Sequence, residues 1–268
     1  MRKSETITSP ANPLVKGVRR AIARGSLTSE GWAVAETFHL LEEALRSDCE
    51  VKVVLAAESV RSAAEAHVRG LGGVKVAVLP DALFQDLSGT EASQGVMALV
   101  KPPVWSLDQL FRGCPLVVVL DGLQDPGNAG SIVRAAEAFG ATGALFLKGT
   151  VSPYNPKTLR AAAGSLFRVP FLYGVDPVLA RAALQQKRVE LYAGVPARAG
   201  VAVRSLAEVD LTGRCGLIIG SEAHGVGGEL RSAALDISIP TVGVESLNAA
   251  VAAGVLLYEA RRQRALTP

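Results

Sequence analysis

Two uncharged apolar runs, LVVVL (116–120) and GLIIG (216–220), do most to limit how this chain can fold. A half-exposed strand alternates apolar and polar residues, whereas these runs offer no polar face, so each must be covered on both sides. That is the signature of central strands in a parallel sheet. Each run leads into a glycine-containing turn, LDGLQDPGNAG in one case and GSEAHGV in the other. The expected class is therefore α/β, and open α/β sheets bind ligands outside the carboxyl ends of their strands.

Alternation of strands and helices extends over the rest of the chain. VKVVLAA (51–57), VKVAVL (74–79) and QGVMALV (94–100) read as strands, and SVRSAAEAHVRGL between the first two reads as a helix. A basic helix is expected from Leu14. The segment AVAETFHLLEEA (33–44) reads as another helix, because Val34, Phe38, Leu41 and Leu45 recur at helical spacing. Lys101, Pro102 and Pro103 interrupt the pattern, since proline fixes φ and donates no hydrogen bond. At roughly 100–200 residues per domain, the 268 residues divide at that break into an N-terminal domain 1–101, a linker 102–114 and a C-terminal domain 115–268. Beyond LVVVLDG the second domain is expected to hold a helix from Asn128, the strand ALFLK (144–148) and helices over 155–163 and 177–187. VELYAGV (189–195), GLIIG and DISIP (236–240) read as strands, followed by a closing helix 246–264.

The 49% hydrophobic content excludes a disordered tail. Cys49, Cys114 and Cys215 are odd in number, far apart and in no CxxC arrangement, so neither a disulfide framework nor a metal site is expected, and a reducing cytoplasm fits. Segment 1–13 has no apolar core of a signal peptide, and the longest apolar-rich uncharged run, 246–258, is too short to span a membrane. Net charge is only +3, but its distribution is uneven. Arg2, Lys3, Lys16, Arg19, Arg20 and Arg24 face only Glu5 and Glu30 within the first thirty residues. No acid lies between Glu137 and Asp176, where Lys148, Lys157, Arg160 and Arg168 would form a phosphate-attracting surface if they converge.

Three stretches carry candidate chemistry. In the first, 120–140, Gly127 and Gly130 do not have dinucleotide-binding spacing and no Walker lysine follows. Taken alone, Asn128 reads as a helix cap and Arg134 as a surface cation. In the second, Gly220 ends a strand, and Glu222 either receives a hydrogen bond from an arginine or amide or caps a helix starting near Val226. His224 reads as an exposed loop residue rather than a general base. In the third, Pro240 ends a strand and Ser246, Leu247 and Asn248 open an Ala-rich helix, with Ser246 as a possible cap. The small residues of that helix suit close packing against another segment or subunit. Arg261, Arg262 and Arg264 near its end read as cations favoured by a helix C-terminus.

Together, in this order, Asn128-x-Gly130-x-x-x-Arg134, Gly220-x-Glu222-x-x-Gly225 and Ile239-Pro240 with Ser246-Leu247-Asn248 resemble the three motifs of the SpoU (TrmH-like) RNA ribose 2′-O-methyltransferases, within the SPOUT knotted methyltransferases. VAETFHLLEEAL and SGTEASQGVMALV resemble the small RNA substrate-binding domain of many members, so the likeness runs from about residue 8 to 264. Ala249 and Ala250 stand where many relatives have Val-Ser, a change expected to affect packing. The resemblance implies a deep trefoil knot in the C-terminal domain and a homodimer formed through it. S-adenosylmethionine would be held largely by backbone groups at Gly220, Ile239 and Leu247, with 192–196 adding contacts. The implied catalytic set is Arg134, Asn128, Glu222, Ser246 and Asn248, the last four orienting Arg134 and the ribose, and Arg134 facing the cofactor pocket of a second subunit. No metal or membrane is implied. A separate N-terminal domain favours ribosomal over transfer RNA. A transfer-RNA ribose methyltransferase, a noncatalytic RNA-binding protein and a base methyltransferase are the alternatives.

Overall fold

The computed structural model describes residues 4–88, 93–197 and 203–266. Arg2 and Lys3 of the basic arm and positions 89–92 of SGTEASQGVMALV lie outside the described residues. In chain order the elements are β1 (Glu5–Thr6), α1 (Pro13–Arg24), β2 (Ala33–Glu36), α2 (Phe38–Arg46), β3 (Val51–Ala57), α3 (Arg61–His67), β4 (Lys75–Leu79), α4 (Asp81–Ser88) and β5 (Val96–Val100). There follow α5 (Leu107–Leu110), β6 (Leu116–Asp121), α6 (Pro126–Ala138), β7 (Gly143–Leu147), α7 (Pro156–Ala162), β8 (Phe171–Val175) and α8 (Pro177–Gln186). The chain ends with β9 (Glu190–Gly194), β10 (Arg204–Ser205), β11 (Cys215–Gly220), α9 (Gly228–Arg231), β12 (Ala234–Ser238) and α10 (Ala249–Leu266).

Two compact units result. One comprises Met1–Val104 with Tyr154–Phe167, the other Trp105–Pro153 with Arg168–Pro268. The expected break near residue 101 lies close to the first crossing, but the return of 154–167 to the first unit has no counterpart in the sequence reading. That return has a packing basis: α7 lies against β2, and Arg160 is ion-paired with the buried Glu36.

The first unit is built on a five-stranded sheet of order β1-β4-β3-β5-β2. Its core gathers Val15 and Val18 of α1, Leu55 and Met97 of the sheet, and Phe84 of α4. Asn12 caps α1 by accepting from the Leu14 backbone N–H at 2.9 Å, Pro13 occupies the first helical position, and Gly25 at φ +59° closes the helix. The helix expected over 33–44 is corrected here. Residues 33–36 form β2, paired antiparallel with β5 from Ala33 opposite Val100 to Glu36 opposite Met97, and all four are buried. Thr37, at φ 114°, ends the strand and caps α2 by accepting from the Leu40 N–H at 3.2 Å. Val34 therefore belongs to a strand, while Phe38, Leu41 and Leu45 belong to the following helix.

The second unit holds a seven-stranded sheet of order β10-β12-β9-β11-β6-β7-β8, parallel at every pairing. The two apolar runs lie side by side at its centre, Cys215 opposite Leu116 through Gly220 opposite Asp121. Leu116–Leu120 and Leu217–Ile219 are buried, as strands covered on both faces must be. Because β11 enters between β9 and β6, the turns after these strands share one edge of the sheet. Among the described residues, no helix is long and apolar enough to cross a membrane.

The cations between 137 and 176 do not form the free surface the sequence suggested. Lys148 pairs with Asp176 at 3.1 Å, Arg168 with Glu137 at 2.5 Å and Arg160 with Glu36, leaving only Lys157 of the four unpaired among the described residues. They are also divided between the two units.

Candidate active site

The first turn of the site is pinned before its helix begins. At the end of β6, the Gly122 N–H donates to Thr150 Oγ1 at 3.0 Å, and that hydroxyl donates to the Leu120 carbonyl at 2.9 Å. Asp125, followed by Pro126, caps α6 and accepts from the Asn128 N–H at 2.6 Å. The capping alternative for Asn128 is thereby removed, and its side-chain amide is free for other work.

The second turn is shaped by an absence of side chain. A Cβ on Gly220 would lie 2.2 Å from the Gly225 carbonyl carbon and 2.3 Å from the Val226 nitrogen, so only glycine allows the loop to fold back over the end of β11. Ser221 and Gly225 exchange backbone hydrogen bonds of 3.1 and 2.8 Å, and Gly225 takes φ +68°. Asp121, opposite Gly220 on the neighbouring strand, accepts from the Gly227 N–H at 2.7 Å and ties the loop down. Glu222 is left at the exposed tip. It does not cap α9, whose cap is Gly227 without a side-chain bond. His224 is exposed in the same loop, as expected.

In the third stretch, Asn248 rather than Ser246 caps α10, its Oδ1 accepting from the Ala250 N–H at 2.9 Å and the Val251 N–H at 3.3 Å. The closing helix accordingly starts at Ala249.

These three turns are joined by a hydrogen-bond chain. Asn128 Nδ2 donates to Glu222 Oε1 at 2.5 Å, and Asn248 Nδ2 donates to Asn128 Oδ1 at 3.0 Å. Its direction is fixed at both ends, because an ionised carboxylate only accepts and a backbone N–H only donates. Both amides must then point as they do. Arg134, six residues after Asn128 on α6, is exposed and makes no hydrogen bond or ion pair among the described residues. Ser246 is exposed and likewise outside the chain. The structure therefore brings together Asn128, Glu222 and Asn248, while Arg134 and Ser246 stand apart from their hydrogen bonds.

Beside this chain lies a cavity of about 710 Å³ at the carboxyl edge of the sheet. Its walls come from the ends of β9, β11 and β12, the loop before α10 and the first turns of α10, and they include Gly220, Ile239, Leu247 and Ser246, with Val195 and Pro196 from the 192–196 stretch. Arg231, which lines it as well, is committed to Asp236 at 2.6 Å. The size is that of a small-molecule site, typically about 300–1,000 Å³, and much of the wall is loop backbone and aliphatic side chain. Tyr192, farther back on β9, is a structural group: burial raises its pKa, and its hydroxyl lies 2.9 Å from Glu190 Oε2 and 3.0 Å from the Asp210 carbonyl.

Sequence reasoning missed Asp121, Asp125 and Thr150, which hold the loops in place. Two of them had readable signals, an acid closing an apolar strand and an Asp-Pro pair before a helix; Thr150 had none, because its partners are about thirty residues away.

The SpoU rRNA Methylase family matches residues 115–258, and the MRM3-like substrate binding domain matches residues 12–98. An uncharacterized tRNA/rRNA methyltransferase of Synechocystis sp. is 33% identical over 97% of this chain and 94% of its own length. The 23S rRNA (guanosine(2553)-2′-O)-methyltransferase RlmP of Bacillus subtilis is 30% identical over 95% of this chain and 98% of its own. Among solved structures, the SpoU methyltransferase AviRb from Streptomyces viridochromogenes, in complex with the cofactor AdoMet, superposes with a TM-score of 0.81 at 27% identity, covering 95% of this chain and 99% of that one. With both its domains matched and its three motif turns joined at one edge of a parallel sheet, the chain belongs to the SpoU rRNA methylase family.

Proposed function

We propose that the protein transfers a methyl group from S-adenosylmethionine to a ribose 2′-hydroxyl of 23S ribosomal RNA, in the cytoplasm, as a homodimer. The observation that carries this reading is the Glu222–Asn128–Asn248 chain, which joins the three motifs beside a cavity of cofactor size. The Bacillus subtilis relative acts on 23S rRNA at a 2′-oxygen by its name, and a structural neighbour binds AdoMet.

The cavity suits a cofactor without phosphate. Gly220 lets backbone approach closely, Ile239 and Leu247 supply apolar cover, and the 192–196 segment borders the opening with Val195 and Pro196. The bound cofactor would supply an electrophilic methyl group on a sulfonium. The chain's own contribution is alignment, and orientation of reacting groups lowers such barriers by about 7–11 kcal/mol. Glu222, Asn128 and Asn248 hold the loop after β11 and the start of α10 in register, and Ser246 lines the cavity.

Arg134 acts as a cation. A guanidinium stays protonated in proteins, so its role is to grip a phosphate and stabilise the developing alkoxide rather than to take the proton. With no side-chain partner among the described residues, Arg134 is available to a second subunit. Val251, Val255 and Tyr258 are 53%, 37% and 54% exposed and form one apolar stripe on α10, and Tyr258 packs edge-on against Phe139 just beyond α6, the rings 5.8 Å apart. A dimer formed over this stripe would also cover α6 and set Arg134 at the other subunit's cavity.

The test is Arg134→Ala with cofactor binding and turnover measured side by side. Binding is expected to stay within about twofold while methylation falls by about 10²–10³, the usual loss for an electrostatic stabiliser. Methylation near wild type would remove Arg134 from the reaction.

A further inference from the structure

The exposed side of α1 carries a row of cations whose side chains no described residue pairs with. Lys16, Arg20 and Arg24 are spaced i, i+4 and i+8, all three are exposed, and none of their side chains makes a hydrogen bond or ion pair among the described residues. Their neighbour Arg19 differs, being taken by Asp86 of α4 at 2.5 Å. The helix itself, PLVKGVRRAIAR, holds no acid. Like charges at i, i+4 repel along a helix, so within the row only Arg24, in the last turn of α1, gains anything back, from the helix C-terminus. At 1.5 Å rise per residue, successive cations are about 6 Å apart along the axis, a step comparable with that between phosphates on a nucleic-acid strand.

The row does not stop at the end of α1. A Cβ on Gly25, which closes the helix, would lie 2.8 Å from Asn155 Nδ2, so the start of α7 abuts this end. Asn155 caps α7 by accepting from the Lys157 N–H at 2.9 Å, and Lys157 is exposed and unpaired among the described residues. Among the described residues the first unit thus presents three free cations along α1 and a fourth, Lys157, two residues beyond the contact at the end of that helix, supplied by two segments that the fold joins.

We infer that Lys16, Arg20, Arg24 and Lys157 form a track for the phosphate backbone of the substrate RNA, giving the first unit a contact that fixes position without reading sequence. This rests on the RNA methyltransferase reading. A cation that meets a phosphate releases condensed counterions, so each contact steepens the fall of affinity with salt by about 0.7–0.9 in log–log slope.

The experiment measures binding of the full-length protein to unmodified 23S rRNA transcript between 50 and about 200 mM salt, with cofactor binding followed separately. Three double variants are compared with wild type: R20Q/R24Q, R20K/R24K, and R69Q/K75Q, which removes equal charge from exposed positions of the same unit away from α1. The slope is expected to flatten by about 1.4–1.8 in R20Q/R24Q, to return in R20K/R24K, and to stay near wild type in R69Q/K75Q, with cofactor binding unchanged throughout. Equal flattening in R20Q/R24Q and R69Q/K75Q would reduce the row to net charge alone and overturn the track, as would an unchanged slope in R20Q/R24Q. Absence of RNA binding by the wild type would overturn the enzymatic reading along with it.

Discussion

At the scale of single residues, the site depends on which side chains cap its helices. Asn128 would be an ordinary helix cap if Asp125 did not already hold that role, and Asn248 could not reach Asn128 Oδ1 with its amide if its carbonyl were not fixed by the backbone of α10. Asn128→Asp tests this with almost no change of shape. The donor facing Glu222 Oε1 becomes an acceptor, and two carboxylates at that distance cannot both be ionised. Methylation is expected to fall by about 10² or more, while stability changes by only about 1 kcal/mol because the group is partly in water; turnover and thermal midpoint measured together decide it. Turnover close to wild type would mean the chain of amides is incidental. The motif residues were legible in the sequence because their types and order are unusual together. Which of them would touch was not, since Glu222 and Asn128 are 94 residues apart and the cap that releases Asn128 is a different residue.

Among elements, α10 is held by side chains at both ends. Asn248 starts it, and near its end Arg264 donates to the carbonyls of Leu211 at 2.9 Å, Cys114 at 3.0 Å and Pro115 at 3.1 Å, and to that of Gly213, and lies 3.3 Å from Cys215 Sγ. Burial pushes the Cys215 thiol up to about 11 despite that arginine, so it stays protonated and inert at neutral pH. The sequence reading of the terminal arginines as cations near a helix end holds for their place but missed Arg264's task, which is to satisfy carbonyls of neighbouring turns. Gln263 works beside it, bonding the Leu211 N–H at 2.7 Å and the Val209 carbonyl at 3.0 Å, and is itself held by Glu259 at 2.8 Å. The hydrogen bonds from Arg262 bring the Glu259 carboxyl down to about 2 from its usual 4.5. A carboxyl depressed on folding stabilises the native state above its unfolded pKa and loses that contribution as pH falls towards its folded one. Wild type is therefore expected to exceed Glu259→Gln in urea midpoint at pH 6, with the gap closing between about pH 4.5 and 2. Parallel curves over that range would deny Glu259 this role. The two central strands were legible as unbroken apolar runs; β2 was not, because its four residues continue without a break into an amphipathic helix, and only the antiparallel partner β5 decides the matter.

For the whole molecule, the chain passes between its two units three times, after Val104, Pro153 and Phe167, so the substrate-binding unit is not strung on a single linker. Its α7 comes from within the methylase segment and packs on β2, an arrangement no local pattern could announce because the contact is made by Arg160 with Glu36, 124 residues away. The exposed stripe on α10 is the other feature of this scale. In the proposed dimer, Val251→Asp with Tyr258→Asp is expected to turn a two-chain species into a single chain by sedimentation and to abolish turnover, because Arg134 would then lack the second cavity; a monomeric variant with full turnover would confine the site to one chain. The most direct measurement gives the protein labelled S-adenosylmethionine and unmodified 23S rRNA, digests the product to nucleosides and identifies the labelled one. A single 2′-O-methylnucleoside is the predicted result, and label on a base, or no label from a protein that binds the cofactor, would contradict it.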